Sequence, residues 1–123
     1  MRIRKILVVD DQVSICSYLE RKLESLGYEV VVAYDGIEAL EVAFRESPDA
    51  LILDVSLPGL NGNEVCRRLK GDARMCDHPV IMLTALATPA DRRQALEAGA
   101  NAYITKPTDF ANILQQLKSF ENI

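Results

Sequence analysis

Five short apolar runs, often β-branched, alternate along the chain with longer segments whose apolar positions recur every three or four residues. The runs are Ile6–Val9, Val30–Ala33, Ala50–Leu53, Val80–Leu83 and Ala102–Ile104, and each reads as a strand. The spacing of Val13, Cys16, Leu19, Leu23 and Leu26 predicts a first helix, with Gly27 as its stop. Asp35 with Glu38 forms a capping-box pattern before Ile37, Leu40, Val42 and Phe44, and Pro48 lies beyond that second helix. Asn61 with Glu64 repeats the pattern ahead of Val65, Cys66 and Leu69. Thr88-Pro89 supplies a cap and a first-turn proline for a fourth helix through Ala95 and Leu96 to Gly99. Thr108 is placed to cap a fifth, whose apolar face is Phe110, Ile113, Leu114, Leu117 and Phe120.

The strands are nearly continuous apolar runs instead of in-out alternations, which means burial on both faces. Strand-helix alternation five times over therefore predicts an α/β doubly wound fold: a five-stranded parallel sheet of flavodoxin-like order 2-1-3-4-5, with helices on both faces and right-handed crossovers. In such a sheet, ligands bind beyond the carboxyl ends of the strands.

At 123 residues, 49% apolar and 26% charged, the chain is sized for a single domain over 1–123 with a real core. Fourteen basic against eighteen acidic residues leave a net charge of −4 with no long basic run, which argues against direct nucleic-acid binding. The basic start Met1 to Lys5 precedes only Ile6–Val9 before two aspartates, too short an apolar stretch for export, and no segment reaches membrane-spanning length. Cys16, Cys66 and Cys76 have no CxxC spacing and read as reduced packing residues of a cytoplasmic protein. The single histidine, His78, lacks a partner at zinc-ligand spacing and reads as a residue at the start of a strand.

The strand ends change the picture. Asp10 and Asp11 follow the first strand, Asp54 the third, Thr84 the fourth, and Lys106 closely follows the fifth. With the first and third strands adjacent, three carboxylates converge at one mouth and repel, so a cation belongs there. Oxygen donors without His or Cys suit Mg2+. A carboxylate nucleophile, a hard cation, a lysine and a hydroxyl together meet the needs of phosphoryl transfer onto an aspartate, which is already ionised and requires no general base.

Four blocks in order, VVDDQ at 8–12, LILDVSLPGLNGNEVCRRLK at 51–70, VIMLTA at 80–85 and GANAYITKP at 99–107, resemble the response-regulator receiver family of two-component signalling over essentially the whole chain. The resemblance implies Asp54 as phosphoacceptor. It implies Mg2+ held by Asp11, Asp54 and the Ser56 backbone carbonyl, with Asp10 acting mostly through water. Thr84 and Lys106 would contact phosphoryl oxygens, Lys106-Pro107 would be a cis peptide, and Ala85 would leave the phosphoryl group room. Thr84 and Tyr103 would form the switch that remodels the face of the fourth helix, fifth strand and fifth helix. The implied partners are a sensor histidine kinase or histidine phosphotransfer protein, plus a target or output domain. The module would catalyse only its own phosphorylation and dephosphorylation.

Several positions have plainer readings. Tyr103 alone is a half-buried strand tyrosine, Gly59 and Gly62 are turn residues around Pro58, and the pairs Arg67-Arg68 and Arg92-Arg93 are solvated helix faces. Ser56 and Leu86 stand where the family tunes phosphoryl lifetime. Asn101-Ala102 stands where many DNA-binding members have two acids, and Lys118 is the only basic residue of the last helix. Those two departures weaken a charge-paired dimer and point to a monomer or weak dimer. Three rival functions share the pattern: an aspartyl-phosphate Mg2+ phosphatase, which would want an acid where Ser56 stands; a flavin or nucleotide binder, which would want a glycine-rich loop in place of Asp10-Asp11-Gln12; and a pseudo-receiver binding module.

Overall fold

The computed structural model describes residues 2–121; Met1, Asn122 and Ile123, the ends of the expected domain, lie outside them. The elements are β1 (Lys5–Val9), α1 (Val13–Glu24), β2 (Glu29–Ala33), α2 (Gly36–Glu46), β3 (Ala50–Leu53), α3 (Gly62–Lys70), β4 (Val80–Thr84), α4 (Pro89–Glu97), β5 (Ala102–Thr105) and α5 (Phe110–Glu121). All strand pairs are parallel, in the order β2-β1-β3-β4-β5 that the alternation predicts.

Strand side chains part to the two faces with period two. Leu7, Val9, Leu51, Leu53 and Met82 pack with Ala39, Val42 and Ala43 of α2, Val65, Cys66 and Leu69 of α3, and Ala95 of α4. Ile6, Val8, Ile52, Ile81 and Leu83 pack on the other face with Cys16, Leu19 and Leu23 of α1 and Ile113 and Leu117 of α5. Both faces are covered, and so the strands carry no polar alternation.

The helix caps follow the sequence in part. The Asp35 and Asn61 side chains accept from the N–H groups of Glu38 and Glu64 at 2.7 and 3.0 Å. Thr88 and Asp91 form a reciprocal capping box. The Glu38 carboxylate reaches past its own cap to the Tyr34 N–H, and Glu64 turns outward to Arg67 and Arg68, so neither completes a box. Thr108 does not cap the backbone of α5: its hydroxyl accepts from the Asn112 side-chain amide at 2.9 Å. Gly27 ends the α1 segment at φ +97°, a conformation that costs an L residue about 1–2 kcal/mol.

The apolar spacing overstated some helix faces. Val13, Leu26, Ile37 and Leu96 are exposed, because they sit at helix ends or flanks that overhang the sheet. Cys76 is exposed as well, so only Cys16 and Cys66 are packing residues. No helix among the described residues is long and apolar enough to cross a membrane.

Candidate functional site

β1 and β3 are neighbours in register, with Val9 opposite Leu53, so Asp10 and Asp54 leave the sheet side by side. The Asp54 N–H donates to the Val9 carbonyl at 3.0 Å and the Asp10 N–H to the Ala33 carbonyl at 3.2 Å, which extends the ladder one residue into the mouth. Oxygens of Asp10, Asp11 and Asp54 all come within 4.8 Å of one another. Asp10 and Asp54 are buried and Asp11 is exposed at the rim.

Lys106 enters from the end of β5. Its ammonium lies 2.6 Å from Asp10 Oδ2 and 3.0 Å from Asp54 Oδ2, and bridges the two buried carboxylates. The remaining oxygens take backbone donors: the Gln12 N–H reaches Asp10 Oδ1 at 2.9 Å, and the Ser56 N–H reaches Asp54 Oδ1 at 3.1 Å. Burial pushes the Asp10 carboxyl above its ordinary value despite the Lys106 and Gln12 hydrogen bonds. Burial also opposes the charge on Lys106, but the hydrogen bonds it donates to Asp10 and Asp54, and their charges, outweigh it and hold the ammonium above the usual lysine range. One lysine thus serves an excess of carboxylates, and the donor set there is all oxygen, as a hard divalent cation requires.

Thr84, fully buried, ends β4, the strand beside β3, and its hydroxyl accepts from the Leu86 N–H at 3.3 Å. The Lys106 N–H donates to the Thr84 carbonyl at 2.8 Å, which ties the two loops together. Lys106-Pro107 is cis. Tyr103 lies in β5, buried and with its hydroxyl donating to the Leu86 carbonyl, a fuller role than that of a half-buried strand tyrosine. Burial raises its phenol above the ordinary value.

Two supports of the site are not legible in the sequence. Gly62 is not a turn residue: it opens α3, and a Cβ built there would stand 2.0 Å from the Asp54 carbonyl oxygen. The Cys16 thiol donates to the Asp10 carbonyl at 3.3 Å from beneath the site, and burial pushes it up to about 11. Neither is visible without the packing of a helix against a strand end. Leu86 acts here through its backbone: its N–H meets Thr84 and its carbonyl meets Tyr103.

Residues 6–118 match the response regulator receiver domain. Probable transcriptional regulator ycf27 of Cyanophora paradoxa is 50% identical over 104 residues, which are 85% of this chain and 42% of that protein, so the match spans under half of the relative's length. Chemotaxis protein CheY4 of Vibrio cholerae superposes with a TM-score of 0.90 at 31% identity, over 97% of this chain and 99% of that one. The BeF3-activated N-terminal receiver domain of Klebsiella pneumoniae RstA gives 0.88 at 35% identity, over 95% and 97%. The acidic mouth at the ends of β1 and β3 thus coincides with a match over nearly the whole chain, and this protein belongs to the response regulator receiver domain family of two-component systems.

Proposed function

We propose that Asp54 accepts a phosphoryl group from a phosphohistidine of a sensor histidine kinase or histidine phosphotransfer protein, and that Thr84 and Tyr103 relay the change to the face of α4, β5 and α5, where a target reads it. The observation that carries this reading is the Lys106 ammonium bridging buried Asp10 and Asp54 in a mouth of three carboxylates. An Asp54 carboxylate oxygen attacks phosphorus as the phosphorus–nitrogen bond breaks, and the imidazole leaves with that electron pair and a proton from solvent. Lys106 turns from carboxylate to phosphoryl oxygen, and the Thr84 hydroxyl gives up the Leu86 N–H to donate to another. Asp11, Asp54 and the Ser56 carbonyl would hold Mg2+ with Asp10 mostly through water, and the ion would supply charge neutralisation. Loss of the group is hydrolysis of the same acyl phosphate, so the chain acts as a switch and turns over no separate substrate.

Incubation with acetyl phosphate, with Mg2+ or with EDTA, followed by intact-protein mass spectrometry, tests this. One added phosphoryl group that requires both Mg2+ and Asp54 is expected. Unchanged labelling of Asp54→Asn overturns the assignment.

A further inference from the structure

Tyr103 is held inward from two sides. Its hydroxyl donates to the Leu86 carbonyl, and the Leu86 N–H donates to Thr84, so one residue's backbone joins both side chains. The second hold comes from α4, where the Arg92 guanidinium carbon stands 5.7 Å from the centre of the Tyr103 ring. Arg67, Arg68 and Arg74 pair with Glu64 or Asp72, but no carboxylate among the described residues forms an ion pair with Arg92. Its backbone is firmly based: Pro89 and the Thr88-Asp91 capping box open the helix, and the Arg92 N–H donates to the Thr88 carbonyl at 3.1 Å.

We infer that Arg92 is a positioning residue whose cation, lying over the Tyr103 ring, sets the ratio of inward to outward tyrosine and so couples the placement of α4 to the switch. The inference rests on the reading of Tyr103 as the switch aromatic. A cation over an aromatic face is attracted by the ring's negative quadrupole, and at an exposed site this changes a two-state ratio about two- to five-fold. Movement of α4 that carries Arg92 away removes that bias, and a ring that swings out releases Arg92 to solvent.

The test is 19F NMR of the 3-fluorotyrosine-labelled protein, with the Tyr103 resonance assigned by Tyr103→Phe, in wild type, Arg92→Leu and Arg92→Lys, with and without beryllofluoride. The leucine keeps apolar cover without charge, and the lysine keeps the charge. An outward fraction raised about two- to five-fold in Arg92→Leu and brought back toward wild type in Arg92→Lys is expected. An unchanged ratio in Arg92→Leu overturns the inference, and so does an equal shift in both variants. If beryllofluoride leaves the wild-type Tyr103 resonance unmoved, the switch reading fails, while the comparison among the Arg92 variants still decides whether the cation holds the ring.

Discussion

Gly62→Ala is the sharpest perturbation of the site that leaves every polar group in place. The added Cβ would lie 2.0 Å from the Asp54 carbonyl oxygen and 2.9 Å from both the Asp54 carbonyl carbon and the Val55 Cα, so the first gap must widen by about 1.4 Å to reach ordinary contact at 3.4 Å. Both sides of the gap are backbone and both are tied. The Gly62 N–H donates to the Val55 carbonyl at 2.8 Å, and the Asp54 N–H to the Val9 carbonyl at 3.0 Å. Forcing backbone apart in a packed core costs about 1–3 kcal/mol, and at the first position of α3 alanine recovers little over glycine, leaving about 2 kcal/mol of destabilisation. For a chain of this size that lowers Tm by roughly 6–12 °C. Displacing the Asp54 loop by about 1 Å also slows phosphorylation by acetyl phosphate by on the order of 10²-fold. Gly71→Ala is the control, since its Cβ would meet only the Arg67 carbonyl at 3.3 Å and the Arg68 carbonyl at 3.7 Å. Scanning fluorimetry and the labelling rate read both effects. A Gly62→Ala protein that melts with the Gly71→Ala control and labels at the wild-type rate would refute the close approach of α3 to the end of β3 that carries Asp54.

Three further outcomes are expected. Lys106→Met leaves Asp10 and Asp54 buried without their ammonium and costs about 3–5 kcal/mol in urea unfolding, a loss that Mg2+ partly restores; an unchanged midpoint would mean the bridge contributes nothing. Mg2+ at about 100 times its dissociation constant stabilises the wild type by about 2.7 kcal/mol, reversed by EDTA and absent in Asp11→Asn, and an equal rise in that variant would place the ion elsewhere. Alkali tests the two buried thiols. Burial raises Cys16 and Cys66 from 9.0 to about 11, so between those values the unfolded chain releases protons that the folded chain keeps, and stability falls with rising pH by about 1.4 kcal/mol per unit for each thiol. A Cys16→Ala/Cys66→Ala protein should lose that part of the slope; an identical slope would show the thiols are not protonated by burial.

Strand existence was legible because two-faced burial leaves a signature that local composition carries, five short apolar runs with no polar alternation, whereas the order 2-1-3-4-5 came from the fold class those runs imply. The starts of α2, α3 and α4 were legible because capping is local: Asp35, Asn61 and Thr88 cap through contacts three residues away. Helix faces were less so. Periodicity says which side chains share a stripe but not where the stripe runs off the sheet, and thus Val13, Ile37 and Leu96 are exposed while Ala39 and Ala43 carry the contact.

The sequence by itself determined the cast of the site, because the first polar residue after each buried run must stand where the strand leaves the sheet. Asp10, Asp54 and Thr84 are there for that reason, and Lys106 follows one residue beyond β5. Only the tertiary structure decided how they meet. Lys106 finds carboxylates 96 and 52 residues away, Leu86 joins Thr84 to Tyr103 through its backbone, and Gly62 admits α3 against the Asp54 carbonyl. The Lys106 contacts depend on how the elements pack across the sheet, and the other two on backbone groups, which are the same at every residue and so leave no mark in the local pattern of side chains.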